Sequence, residues 1–141
     1  MKEIGKIAGI NGPVVTIRGS KEFQMLEMVF VSHLKLIGEV IHIEDENVTV
    51  QVYETTTGLT VGEPVFATGK PMALELGPGI IGGVFDGIQR PLEEIEAMSG
   101  SFIGRGLDTK ALDRKKVWPV EFTVQVGDRL EGGQVYAIVK E

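Results

Sequence analysis

The chain has 141 residues, no cysteine, and a formal net charge of -6 from 20 acidic and 14 basic side chains. That length suits one ordinary domain or two small ones, and it can bury a core without disulfides or a structural metal. The composition excludes thiolate zinc sites, cysteine nucleophiles and CxxC redox chemistry, and the acidic balance argues against a long nucleic-acid footprint.

No apolar run reaches the roughly 18–20 residues of a membrane helix, and the start lacks the apolar core of a signal peptide. The reading is a cytoplasmic protein with no nucleic-acid partner and no direct membrane insertion. Nineteen glycines beside only 6% aromatics suit many short strands and tight turns.

Residues 3–68 alternate apolar runs with turn signals. The runs are 4–10, 14–17, 25–31, 36–43, 48–53 and 61–67, with Asn11-Gly12-Pro13 and Asp45-Glu46-Asn47 as turns. Val48, Val50 and Val52 share one face while Thr49, Gln51 and Tyr53 take the other, the period of a half-buried strand. Closure of the six strands into a barrel would remove exposed edges, so residues 1–68 are expected to form an N-terminal β-barrel.

Residues 69–114 are glycine-rich and then helical. A short strand is expected at 72–76, followed by Gly77-Pro78-Gly79-Ile80-Ile81-Gly82-Gly83 without regular structure. A helix is expected over 91–99, with Pro91 at its first position, glutamates near the positive end of the dipole and Gly100 as the stop. Leu92, Ile95 and Met98 share a face that reads as packing.

Residues 115–141 return to strands. Trp118, Val120, Phe122, Val124 and Val126 alternate with Pro119, Glu121, Thr123 and Gln125, which predicts one buried face. Val126-Gly127-Asp128-Arg129-Leu130 echoes Val61-Gly62-Glu63-Pro64-Val65, an echo read as recurring hairpin chemistry. The chain stops directly after an apolar strand, which leads to the expectation that it is truncated.

Gly77-x-Gly79-x-x-Gly82 matches the dinucleotide fingerprint in spacing, but Pro78 removes one N–H donor and no helix is expected to open at 83–87. It reads as a structural glycine loop. Gly100-Ser101-Phe102-Ile103-Gly104-Arg105-Gly106 lacks the Lys-Ser/Thr pair of a phosphate loop.

His33 and His42 lack metal-ligand spacing and read as exposed or half-exposed strand positions. Asp108 and Asp113 with Lys110, Arg114, Lys115 and Lys116 read as a solvated connector, and Asn47-Val48-Thr49 as a strand start. No serine or threonine has a plausible partnered base. From the residues alone the chain offers no catalytic, cofactor-binding or metal-binding residue, and its role is binding or assembly in a mainly β fold.

The stretch 75–92, with its LGPG…DGIQRPL core, resembles the catalytic A subunit of V-type and archaeal-type rotary ATPases. Its signature positions are Gly77, Pro78, Gly79, Asp86, Gly87, Gln89, Arg90 and Pro91. Gly12-Pro13-Val14-Val15, Leu36-Ile37-Gly38-Glu39-Val40, the stretch 51–59 and Gly62-Glu63-Pro64-Val65 follow in the family's order. Gln-Arg-Pro-Leu sets the chain apart from the F-type catalytic chain and from the non-catalytic B subunit. His33 and Phe85 stand where glycine and tyrosine are usual.

The resemblance implies a barrel in the crown of the hexameric head, with A and B subunits as partners. It makes 69–114 the connector and start of a nucleotide-binding domain, and 115–141 part of the barrel-sandwich-like bulge. It also implies a location peripheral to the membrane and a parent that couples ATP hydrolysis or synthesis to proton or sodium-ion transport.

The parent would bind Mg-ATP. Its phosphate loop and its water-activating carboxylate would lie beyond this chain, so the chain alone is expected to be inactive. Gln51, Tyr53, Glu54, Thr55 and Thr57 are the expected subunit-contact residues. Alternatives are a free-standing assembly or regulatory module from a split or shortened gene, and a biotinyl or lipoyl carrier, whose modified lysine is not evident in the turn at 126–135.

Overall fold

The structure, a computed structural model, describes residues 2–19, 22–107 and 109–141. It divides into two compact units, Met1–Leu74 with Ile95–Asp108 and Glu75–Glu94 with Thr109–Glu141.

The first unit is mainly a closed antiparallel barrel. Its strands are β1 (Lys2–Asn11), β2 (Val14–Arg18), β3 (Glu27–Val31), β4 (Leu36–Glu44), β5 (Asn47–Val52) and β6 (Pro64–Pro71). They run around the barrel in the order β1-β2-β5-β4-β3-β6, and β6 pairs back onto β1. Each of the six predicted apolar runs supplies one strand. The third and sixth start later than their apolar residues do, because Met25, Leu26 and Val61 lie in exposed turns.

Register carries alternate residues inward. Val15 pairs with Val50 and Ile17 with Val48 between β2 and β5, and Val31 pairs with Val65 between β3 and β6. These side chains form the core with Ile7, Phe23, Val29, Leu36, Val40, Val52 and Leu59. Burying a side chain of this size stabilises the fold by about 1.5–3 kcal/mol relative to leaving it exposed.

Register shifts at Ile7/Gly9, Glu3/Gly5, Glu27/Val29 and Val40/His42 bend the strands, as closure of a small barrel requires. Gly38 lets β4 approach β5, since a Cβ there would lie 2.7 Å from Val50 Cγ1 and 2.9 Å from the Gln51 carbonyl oxygen.

One turn construction recurs in both units. In 24–27, 60–63, 125–128 and 131–134 the fourth residue donates its N–H to the first residue's carbonyl and accepts the first residue's N–H on its side-chain oxygen. The third residue is left-handed each time: Leu26, Gly62, Gly127 and Gly133. The echo between 61–65 and 126–130 is this shared turn.

In the first of these turns Glu27 is buried, and its other oxygen accepts the Gly69 N–H at 2.6 Å, so one carboxylate ties the turn to β6.

The second unit holds a two-stranded antiparallel sheet of β7 (Val120–Phe122) and β8 (Ala137–Val139), with Val120 opposite Val139. The buried face expected over 118–126 is not formed. Every residue of β7 is exposed and Val126 is fully so, because a two-stranded ribbon has no second layer to cover either face. The strand expected at 72–76 is also absent; these residues are irregular.

Helix α1 (Leu92–Ser99) contains the division between Glu94 and Ile95. It starts one residue later than expected, because Pro91 forms an isolated β-bridge with Phe85 and so precedes the helix. Gly100 ends it with φ 71°, its N–H donating to the Glu96 carbonyl at 2.8 Å. Of the predicted apolar stripe only Ile95 is buried; Leu92 is half-buried and Met98 is exposed.

Candidate assembly loop and signature turn

The expected contact residues lie where β5 leaves the barrel. Val52 donates its N–H to the Pro13 carbonyl at 2.8 Å and Tyr53 to the Ile37 carbonyl at 2.9 Å, so the backbone stays tied on both sides past the strand's end. Gln51 and Tyr53 therefore keep the outward phase of β5, and both are exposed. The Tyr53 hydroxyl donates to Glu39 Oε2 at 2.9 Å. Partial burial raises its pKa first, and the Glu39 hydrogen bond and negative charge raise it further.

Beyond Tyr53 the chain turns across the barrel's end. The Thr56 hydroxyl donates to the Gly12 carbonyl at 2.6 Å, the Thr55 and Thr57 hydroxyls lie 3.2 Å apart, and Gly58 takes φ 87° before buried Leu59. Thr55 and Thr57 are exposed.

Glu54 behaves differently from its neighbours. It is half-buried, and its carboxylate accepts backbone N–H groups from Ile37 at 3.3 Å and Gly106 at 2.9 Å. Five residues singled out together thus divide into four that face outward and one that serves the chain's own structure.

The next turn, Thr60 to Glu63, places the Glu63 carboxylate on the Thr60 N–H at 2.9 Å and the Thr60 hydroxyl at 2.7 Å. Hydrogen bonds from Ser32 and Thr60 hold this carboxyl below its ordinary pKa, with the nearby His33 adding to the effect.

The signature stretch lies in the second unit and is built around Asp86. Asp86 Oδ1 accepts the N–H of Ile88 at 3.1 Å and of Arg90 at 2.8 Å, while Oδ2 accepts Arg90 Nε at 2.8 Å. Both side chains are largely buried, at 15% and 8% exposure.

Burial alone would raise the Asp86 pKa. The Arg90 N–H and guanidinium hydrogen bonds, the Ile88 N–H and the Arg90 charge outweigh that and leave it below the ordinary carboxylate value.

The turn spans 86–90, with the Gln89 N–H on the Asp86 carbonyl and the Asp86 N–H on the Arg90 carbonyl, both at 3.1 Å. Gly87 lies exposed at the turn with open space around it. Leu92 then donates to the Val84 carbonyl at 2.9 Å, closing the approach to the helix around Pro91.

Gly77, Pro78 and Gly79 form turns beside this core. The Ile80 N–H reaches the Gly77 carbonyl at 3.3 Å, and a Cβ on Gly79, whose φ is 97°, would lie 3.2 Å from the Trp118 ring. Lys116 Nζ sits 4.0 Å from the centroid of that ring. Arg114 forms an ion pair with Glu75. No helix opens at 83–87, so the glycine spacing that mimics a dinucleotide motif lacks the helix N-terminus that would hold phosphate.

His42 is exposed on β4. His33 is exposed in the turn between β3 and β4 and not on a strand, because Ser32 and Lys35 take left-handed φ of 70° and 56°. Among the described residues no three His, Asp or Glu side chains stand where they could share a metal ion. Asp113 accepts the Lys115 N–H at 2.8 Å on an exposed connector, and Asp108 lies outside the described residues.

Sequence reasoning missed the inward duty of Glu54 and the contacts that Arg105 and Gly106 make with the loop. No periodic pattern marks a single long-range contact. The nearest signal was an acid followed by three threonines at a strand's end, a position where carboxylates cap free N–H groups.

The β-barrel domain model of the ATP synthase alpha/beta family matches residues 7–69. The chain is 51% identical over 138 residues to the V-type ATP synthase alpha chain 2 of Clostridium tetani, covering 98% of this chain and 23% of that one. It is 50% identical over 138 residues to the catalytic A chain of the V-type proton ATPase of Neurospora crassa, covering 97% and 23%. It is 48% identical over 137 residues to the A chain of the A-type ATP synthase of Methanosphaera stadtmanae, again covering 97% and 23%. The chain thus spans less than a quarter of the length of these curated relatives.

Proposed function

We propose that this chain, a member of the family of V-type and A-type ATP synthase A chains, does the assembly work of such a chain. Residues 1–68 act as its crown barrel, 69–114 as the connector and start of the nucleotide-binding domain, and 115–141 as part of the bulge. The partners are the A and B subunits of a rotary ATPase head, in the cytoplasm and peripheral to the membrane. The parent binds Mg-ATP and couples its hydrolysis or synthesis to proton or sodium-ion movement. This stretch contributes position and contact, and no catalytic group.

One observation carries the reading: Gln51, Tyr53, Thr55 and Thr57 project from the end of β5 and the loop after it, a segment tied to Pro13 and Ile37 by its backbone N–H groups and to Gly12 by the Thr56 hydroxyl. A loop already ordered in this way loses little further conformational freedom when a neighbour docks. No helix among the described residues is long and apolar enough to cross a membrane.

The test is assembly. Thr55→Arg and Thr57→Arg in the full-length protein should weaken A/B hexamer formation at least tenfold by native mass spectrometry, while the melting temperature of the 141-residue chain stays unchanged. Hexamers at wild-type yield in both variants would refute the contact assignment. Reading the gene past the codon for Glu141 separates a piece of a rotary ATPase head from a free-standing module: a GxxxxGKT loop within some hundred codons supports the former, and an immediate stop supports the module.

A further inference from the structure

Residues 104–107 follow α1 and end on the loops of the barrel unit, within the same compact unit. The Gly106 N–H donates to Glu54 Oε2 at 2.9 Å, while Glu54 Oε1 accepts the Ile37 N–H at 3.3 Å. Arg105 Nη1 donates to the Thr57 carbonyl. Gly106 has φ 63° and passes so close to the Leu34 backbone that an added Cβ would collide with the Leu34 carbonyl oxygen. One carboxylate and one guanidinium therefore gather three segments that are remote in sequence: 34–37, 53–58 and 104–107.

We propose that residues 104–107 are a strap that sets the conformation of loop 53–58, with Glu54 as the joint and Gly106 as the position that lets the strap seat. The chemistry is directional. A carboxylate with one oxygen on each of two backbone amides fixes their separation, and charge-assisted bonds of this kind are roughly twice as strong as neutral ones.

Arg105 adds a second tie on the far flank of the loop, so Glu54 and Thr57 are held from one side while Thr56 is held from the other by Gly12. The inference touches the assembly reading only in that this loop carries Thr55 and Thr57; the strap's action needs no neighbouring protein.

The test is amide hydrogen exchange on the 141-residue chain with no partner present, so its result is independent of the hexamer assay. Gly106→Ala should unseat the strap and speed exchange of the Tyr53 and Leu59 amides, which donate to carbonyls at the two ends of the loop, at least tenfold, with the β5 amides unchanged. Arg105→Ala, which alters an exposed side chain, should speed exchange of the Leu59 amide on the Thr57 flank severalfold.

Two results would overturn the strap: fast exchange at Gly106 with wild-type rates at Tyr53 and Leu59, or wild-type rates throughout in both variants. Should Gly106→Ala speed the β5 amides as well, the fold as a whole has loosened, and Arg105→Ala alone decides between the same outcomes.

Discussion

The Gln89 side-chain amide pairs with both backbone groups of Glu75: Oε1 accepts the Glu75 N–H at 2.6 Å, and Nε2 donates to the Glu75 carbonyl at 2.7 Å. A single side chain thereby takes the place of a neighbouring strand for one residue of an irregular stretch. Gln89 also holds φ 62°, a left-handed conformation that favours glycine or asparagine, so its amide offsets a local strain.

Gln89→Ala removes both bonds and keeps the strain. It should destabilise the unit by about 1–3 kcal/mol, at the usual net value per hydrogen bond. Gln89→Glu should be no better, because it sets a carboxylate oxygen against the Glu75 carbonyl. Urea unfolding of the two variants checks this; a Gln89→Glu chain as stable as wild type would disprove the pairing.

The Asp86–Arg90 pair makes stability depend on acid. The Asp86 carboxyl sits below its ordinary pKa in the folded chain. A depressed carboxyl contributes stability that is fully present above its unfolded value of about 3.9 and is lost as pH falls through the folded value. Urea midpoints measured from neutral pH down to pH 3 should fall less steeply in Asp86→Asn than in wild type. At neutral pH the variant also loses the Asp86 charge beside the buried Arg90 guanidinium and is less stable than wild type. Parallel acid limbs in the two chains would rule out Asp86 as a source of the dependence.

Leu26 is the exception among the four matching turns, since the other three place glycine at the left-handed third position. Its side chain is exposed, so little packing is lost on its removal. Leu26→Gly should therefore raise stability by up to about 1 kcal/mol, relief of left-handed strain outweighing the added chain entropy. A thermal melt that moves down instead would show that Leu26 packs in solution.

Gly38 and Gly9 both lie in strands, yet they should answer differently to the same change. A Cβ at Gly38 meets Val50 Cγ1 and the Gln51 backbone at under 3 Å, whereas the nearest atom at Gly9 is Thr16 Cβ at 3.9 Å. Gly38→Ala should cost about 1–3 kcal/mol as the core is overpacked, and Gly9→Ala should be near neutral. Equal denaturation midpoints for the two would mean that β4 and β5 can separate at no cost.

The barrel strands were legible because alternation and turn chemistry agree there: Val48, Val50 and Val52 are all buried, and Asn11-Gly12-Pro13 and Asp45-Glu46-Asn47 lie where strands reverse. The same alternation over 118–126 misled, since periodicity tells which residues share a face but not whether anything covers it. The pairing of β1 with β6, some sixty residues apart, had no local signal and followed only from the need to close edges. Signature positions such as Asp86 and Arg90 were recognisable as a motif, but their job as an internal ion pair depends on a turn that brings both into burial.

The ring of pairings from β1 around to β6 leaves no barrel strand with an unpaired neighbour direction. A docking molecule therefore cannot recognise this unit by adding a strand of its own, the route by which many sheets bind extended peptides regardless of sequence. Contact must be read side chain by side chain from loops and outward faces. Partner choice can then drift, or be engineered, through a few loop substitutions that leave every backbone ladder untouched.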